Sequence, residues 1–219
     1  MKAPIRIIED EDSVSRGSRI PYPRALKWKP VISSHAQKEP AVAIYVTQKA
    51  YIRFCAHAGT DLDNEVGGWL LGKHRIDRKT GQPFIVIDTV VPAQQVVHGN
   101  AFLTFTQDSQ VTLLNYVYDY YPHKDVLGWF HTHPRMGIFL SDYDTWLHDH
   151  FFPENWQVAL VIEPFSRSGG FFIRQEDNLL DSRNYYGFYE ITNGKGHSVV
   201  HWRNVTPWLF AQEEGAMDE

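Results

Sequence analysis

GWFHTHPRMGIFLSDYD, residues 128–144, sets two histidines one residue apart, follows them with a proline, and reaches a Ser-Asp-Tyr-Asp run seven residues later. Side chains along a strand alternate between its faces. His131 and His133, at the end of the strand-like VLGWFH (126–131), therefore leave the same face, and Thr132 points away. Pro134 has no N–H to continue a ladder, so the strand stops and the chain can turn back over the same edge. A helix beginning at Ser141 puts Asp144 one turn in, facing the strand end. Two imidazoles and a carboxylate make a three-ligand site. Hydrolytic zinc is held in this way, by three protein ligands at about 2.0–2.2 Å, with a further position for a water whose pKa falls to about 7. Such a site needs a carboxylate base on a neighbouring element. Glu65 is the candidate, because it opens the strand-like EVGGWLLG (65–72) and can lie at a sheet edge beside the histidines. Gly67 and Gly68 leave room there for another backbone or for a substrate strand.

Outward from this stretch, residues 1–40 contain Pro21, Pro23, Pro30 and Pro40 with little apolar periodicity, and read as an N-terminal extension or arm that wraps the domain or a partner. The regular domain spans 41–210. VAIYV is strand-like, and Tyr51, Phe54, Cys55, Ala58 and Leu62 recur at helical intervals. EVGGWLLG and FIVIDTVV (84–91) should pair antiparallel across KHRIDRKTGQP, whose Thr-Gly and Pro suit a turn, and FLTFT (102–106) extends the sheet. Residues 107–121 place Val111, Leu114, Tyr118 and Tyr121 on one helical stripe packed on the sheet, with Pro122 as the stop. WQVALVIEP (156–164), GGFFIR, YYGFYEI and HSVVHWRNV read as further strands, and the acidic end (211–219) as a frayed tail.

Composition narrows the chemistry. The chain has 219 residues, 43% hydrophobic and 14% aromatic, enough for one sizeable core. Cys55 is its one cysteine, so a disulfide framework and a thiolate-rich zinc site are excluded by counting. No run of eighteen apolar residues exists, and MKAPIRIIEDEDSV puts acids where a secretory signal needs an apolar segment; the expectation is a cytoplasmic protein without a membrane partner. A formal charge of −5 argues against a general nucleic-acid binder, although residues 13–38 carry six Lys/Arg and no acid; that stretch reads as a solvated arm or docking segment.

Glu65 with GGWLLG, then GWFHTHP, then Ser141-Asp142-Tyr143-Asp144 resemble the JAMM motif: an upstream Glu, His-x-His, seven residues, Ser, two residues, Asp. The resemblance covers roughly residues 41–175 and is to active JAB/MPN-type metalloproteases. It implies an α/β (α+β) fold, with a curved mixed β-sheet sandwiched by helices in a single domain. It also implies one catalytic Zn2+ held by His131, His133 and Asp144, with Glu65 as proton carrier and Ser141 as oxyanion stabiliser. The implied activity is hydrolysis of amide or isopeptide bonds after the C-terminus of a ubiquitin-like protein. The compact core and divergent arm look more like bacterial JAB proteases of ubiquitin-like conjugation systems, including antiviral operons, than like a proteasomal subunit; conjugation enzymes of the same system are then possible partners. Two other readings stay open: a zinc-stabilised scaffold or binding module, and a metallohydrolase of a small amide or cell-wall peptide.

Plainer readings accompany each residue. Ser141 and Asp144 fit a helix N-cap, which can coexist with catalysis. Asp142 competes with Asp144 for the ligand role, and the family's spacing favours Asp144. His148 and His150 point about 200° apart on a helix, too far to share an ion. His148 reads first as a solvated helix-face residue and second as a partner that orients Asp144. Cys55 reads as packing. Trp146, Phe151, Phe152 and Trp156 read as core, with groove lining as the second reading.

Overall fold

The computed structural model describes residues 18–21, 24–31, 39–93, 107–192 and 197–208. The strand expected at 102–106 and the tail at 211–219 lie outside them, as does most of the basic stretch.

Among the described residues, nine strands form one sheet in the order β7-β6-β5-β3-β4-β2-β8-β1-β9. In chain order these are β1 (Ala25–Pro30), β2 (Ala43–Thr47), β3 (Gly67–Ile76), β4 (Pro83–Pro92), β5 (Asp125–Thr132), β6 (Val158–Glu163), β7 (Ser168–Ile173), β8 (Phe188–Ile191) and β9 (Val205–Pro207). Helices α1 (Gln48–Ala58), α2 (Gln107–Tyr120) and α3 (Asp142–Phe151) intervene. The sheet is mixed: β2 runs parallel to β4 and β8, β5 parallel to β6, and the other pairs are antiparallel. Register shifts at Leu71/Gly72 toward β4 and at Leu70/Leu71 toward β5 put bulges on both sides of β3, and bulges bend a strand and raise its twist.

Strand alternation sorts the core into two faces. Leu70, Phe130, Leu160 and Ile162 join Tyr51, Phe54 and Ala58 of α1 on one face. Trp69, Leu71, Trp129, Ala159 and Val161 meet Leu147 of α3 and Val117 of α2 on the other. Helices thus cover both faces, as expected. Phe54 is fully buried, and truncating it to alanine should cost about 3–5 kcal/mol. Thr47 starts α1, its side chain accepting from the Ala50 N–H at 3.3 Å.

Glycine sets two close approaches. A Cβ at Gly128, whose φ is +147°, would lie 1.9 Å from the Val158 carbonyl oxygen, so only glycine lets β6 pair there. At Gly68 a Cβ would meet the Val91 carbonyl oxygen at 2.2 Å and the Phe130 ring at 3.0 Å. The crowding neighbour at Gly68 is thus the protein's own sheet.

Several elements differ from the sequence reading. Residues 25–30, inside the stretch read as an arm, form β1 between β8 and β9. Two of the basic residues there have partners, Lys27 paired with Glu39 and Lys29 3.7 Å over the Trp208 ring. Strand β3 runs through Ile76, so the turn narrows to 77–82, where the Asp77 carboxylate accepts from the Thr80 hydroxyl at 2.8 Å. Helix α1 stops at Ala58 and leaves Leu62 exposed, because the Gly59 N–H closes on Cys55 and Ala56 and the Thr60 hydroxyl on His57. Among the described side chains of α2, Val117 faces inward, as does half-buried Tyr121 just past its end, while Leu114 and Tyr118 face outward; the side chain of Val111 lies outside the described ones. Apolar and aromatic residues occupy every face of that helix, so periodicity singles out none of them. Only Phe188–Ile191 of YYGFYEI is strand. Most of HSVVHWRNV is not, because side chains take its backbone donors: Val199 N–H goes to Glu190 Oε1 at 2.8 Å and His201 N–H to the Tyr51 hydroxyl at 3.1 Å.

Candidate metal centre

His131 sits on β5 and His133 just past its end, and both are buried. Their Nε2 atoms converge to 2.8 Å, with the rings at 71° to each other. Both histidines leave the same face, as strand alternation requires.

Asp144 reaches the pair from the first turn of α3. Its Oδ1 lies 3.4 Å from His131 Nε2 and its Oδ2 3.6 Å from His133 Nε2. Ser141 is the N-cap and completes a capping box with Asp144. Asp142 occupies the first turn as well, but it is Asp144 whose carboxylate joins the histidines. Burial pushes the Asp144 carboxyl up. The two imidazoles and the Ser141 hydroxyl outweigh burial and hold it well below the ordinary carboxylate range.

Glu65 lies before the first residue of β3 rather than within the strand. Its Oε1 is 4.0 Å from His133 Nε2, and its side chain is nearly buried. Gly67 pairs with His131 in an antiparallel register, which carried two residues further sets Glu65 opposite His133. The five residues singled out from the sequence are therefore brought together.

One ligand atom from each of His131, His133 and Asp144 lies within 4.8 Å of the others, and all three residues are buried. This donor set of two imidazole nitrogens and one carboxylate, without thiolate, fits a zinc ion of the hydrolytic type. The Nδ1 atoms of both histidines are buried without a hydrogen-bond partner among the described residues. Ring packing orients the imidazoles instead: Trp129 stacks on His131 at 4.5 Å and 9°, and Phe139 lies 4.8 Å from His133.

The surroundings contain residues that the sequence reading missed. Glu163, at the end of β6, accepts from the backbone N–H groups of Arg135, Phe165 and Ser166 and so ties the turn after His133 to the turn after β6. An acid closing the apolar run VALVIE was the available signal. His148 is neither solvated nor bonded to Asp144. It is fully buried, with Nδ1 3.2 Å from Trp129 Nε1 and Nε2 3.2 Å from Arg174 Nη1. Burial first, and then the neighbouring Arg174 cation, push its pKa down to about 3. Buried Arg174 also donates to the Phe152 carbonyl and to Asp149, both at 2.8 Å, closing the end of α3. Of the aromatic cluster, Phe152 is core, Trp156 stacks on His74 at 4.7 Å, and Trp146 is exposed. Cys55 packs against the core, and burial pushes its thiol up to about 12.

A mixed sheet covered by helices, with His-x-His at a strand end and a carboxylate from the next helix, defines a domain of the MPN class. The model of the family described as JAB1/Mov34/MPN/PAD-1 ubiquitin protease matches residues 39–153, just over half of the chain and inclusive of all five site residues, and the chain belongs to that family. It is 27% identical over 132 residues to COP9 signalosome complex subunit 5 of Candida albicans, covering 55% of this chain. It spans only 20% of that relative's length. A solution structure of a protein from Desulfitobacterium hafniense aligns with a TM-score of 0.48 at 22% identity, over 71% of this chain and 99% of the other. Among the described residues no helix is long and apolar enough to cross a membrane.

Proposed function

We propose that the chain is a zinc-dependent peptidase or isopeptidase that hydrolyses the amide bond after the C-terminus of a ubiquitin-like protein, in deconjugation or precursor processing. The observation that carries this reading is the convergence of His131, His133 and Asp144 with Glu65 beside them, 4.0 Å from His133. Family membership supports the substrate class.

A zinc ion held by His131, His133 and Asp144 would supply a Lewis acid and lower the pKa of a water in its remaining position. Glu65 Oε1 takes a proton from the attacking water and later returns it to the leaving amine. Such proton transfer contributes about 10²–10⁴-fold. Ser141 Oγ would turn its one proton from Asp144 Oδ2 to the substrate carbonyl oxygen as negative charge develops there, leaving the Ser141 N–H to hold the carboxylate. The extended tail would be met by strand addition alongside residues 92–103, a stretch whose residues 94–103 lie outside the described ones. Conjugation enzymes of the same system, antiviral ones included, are the further partners under this reading, which places the protein in the cytoplasm.

The scaffold reading loses ground because none of the five residues is missing. The test compares wild type with Glu65→Gln for zinc content and for cleavage of a folded ubiquitin-like protein carrying residues fused beyond its C-terminus. One zinc in each, with turnover in wild type alone, is the expected result. Zinc in both and equal cleavage by both would remove Glu65 from the reaction, and equal rates on a short peptide of the same tail would count against a folded-tag substrate.

A further inference from the structure

We infer that Thr132, between the two histidines, is a positioning residue for Glu65, acting through its hydroxyl; the inference rests on the hydrolase reading of the site. The antiparallel register of β3 and β5 ends at Gly67 and His131, and the next pair is Val66 with Thr132. In an antiparallel pair that bonds both ways, each N–H meets the other residue's carbonyl. Here the Thr132 N–H donates to the Val66 carbonyl at 2.8 Å, but the Val66 N–H donates to the Thr132 side-chain oxygen, also at 2.8 Å. The hydroxyl thus takes the place of a main-chain acceptor at the last rung.

Alternation gives the arrangement its use. Thr132 points away from the face carrying His131 and His133, and it is fully buried. Its backbone fixes the spacing of the two histidines, while its side chain grips the residue adjoining Glu65. The carboxylate and the imidazoles are thereby referenced to a single residue. Glu65 adjoins Val66, so the hydroxyl fixes the main chain one residue from the base. Misplacing a reacting group by about 1 Å can cost about 10²-fold in rate.

Thr132→Val keeps the branched shape and removes the acceptor, whereas Thr132→Ser keeps the acceptor. Two readouts are taken on the full-length zinc-loaded protein: hydrogen exchange at the Val66 amide, and kcat and KM on the fused ubiquitin-like substrate. Thr132→Val should expose the Val66 amide and lower kcat by about 10- to 100-fold at nearly unchanged KM and zinc content, and Thr132→Ser should restore both. Unchanged Val66 protection in Thr132→Val overturns the inference. So does wild-type kcat despite lost protection, or an equal loss in both variants. If wild type shows no turnover on any tag, the hydrolase reading fails; serine-rescued protection of Val66 then still supports the clamp, and its absence overturns it.

Discussion

Ser141 and Asp144 bond each other in both directions. The Ser141 N–H and hydroxyl both donate to Asp144 Oδ2 at 2.7 Å, and the Asp144 N–H returns a bond to Ser141 Oγ at 3.1 Å. The helix cap and the carboxylate beside the two imidazoles are therefore one structure. An aspartate three residues into a capped helix has its rotamer set by the cap, and the cap turns its other oxygen toward His131. Starting α3 and aiming the candidate ligand are the same event.

Asp144→Asn separates the two roles. The amide oxygen can still accept from Ser141, so the helix stays capped, but the charge between the imidazoles is lost. Zinc affinity should fall by at least about 100-fold while unfolding of the metal-free protein changes little. Zinc titration by calorimetry beside urea unfolding checks both.

Ser141→Ala removes the hydroxyl from the cap and from the proposed oxyanion position together. Stability should fall by about 1 kcal/mol, as for other lost N-caps, and turnover by about 10²–10³-fold with zinc still bound. A loss of turnover no larger than the stability loss explains would count against the oxyanion role.

His148 makes stability sensitive to pH. Its folded pKa is lowered from 6.5 to about 3, so between those values the unfolded chain binds the extra proton and the folded chain does not. Its contribution is present above pH 6.5 and is lost as pH falls through the window, at about 1.4 kcal/mol per pH unit. Asp144, also held low, acts only below the ordinary carboxylate range and does not overlap the upper part of this window. Urea unfolding of the metal-free protein from pH 7.5 down to about 5 should show a steeper acid loss in wild type than in His148→Gln. Parallel curves would show that the imidazole is not kept neutral.

Arg174→Met should destabilise by about 2–3 kcal/mol, because the Phe152 carbonyl and the far end of α3 lose their buried donor. It should also raise the His148 pKa by removing a neighbouring cation. The acid loss of stability should then begin at a similar pH but stop sooner, which the same urea series resolves.

The convergence of the candidate residues other than Glu65 was legible in the sequence because it depends on short-range rules. Period-two alternation puts His131 and His133 on one face, proline ends the strand, and a serine three residues before an aspartate starts a helix. All three operate within about five residues of chain. Glu65 was reachable as a candidate through its place before an apolar run, but its position across from His133 is a matter of strand register. That register joins positions 67 and 131, far apart in the chain. The inward face of α2 was not legible, since its apolar residues surround the helix and the choice of Val117 belongs to the sheet beneath it.

By itself the sequence determined the alternation, the capping box, the thiol-free ligand chemistry and the mixed order of strands and helices, since these follow from local dihedral preferences and residue chemistry. Tertiary structure alone decided which polar groups are buried and with whom: His148 between Trp129 and Arg174, Glu163 under the turn after His133, and β1 drawn from the supposed arm into the sheet. A buried polar group is stable only when distant residues supply its partners, and the pairing of distant residues is settled by register and packing rather than by any local pattern.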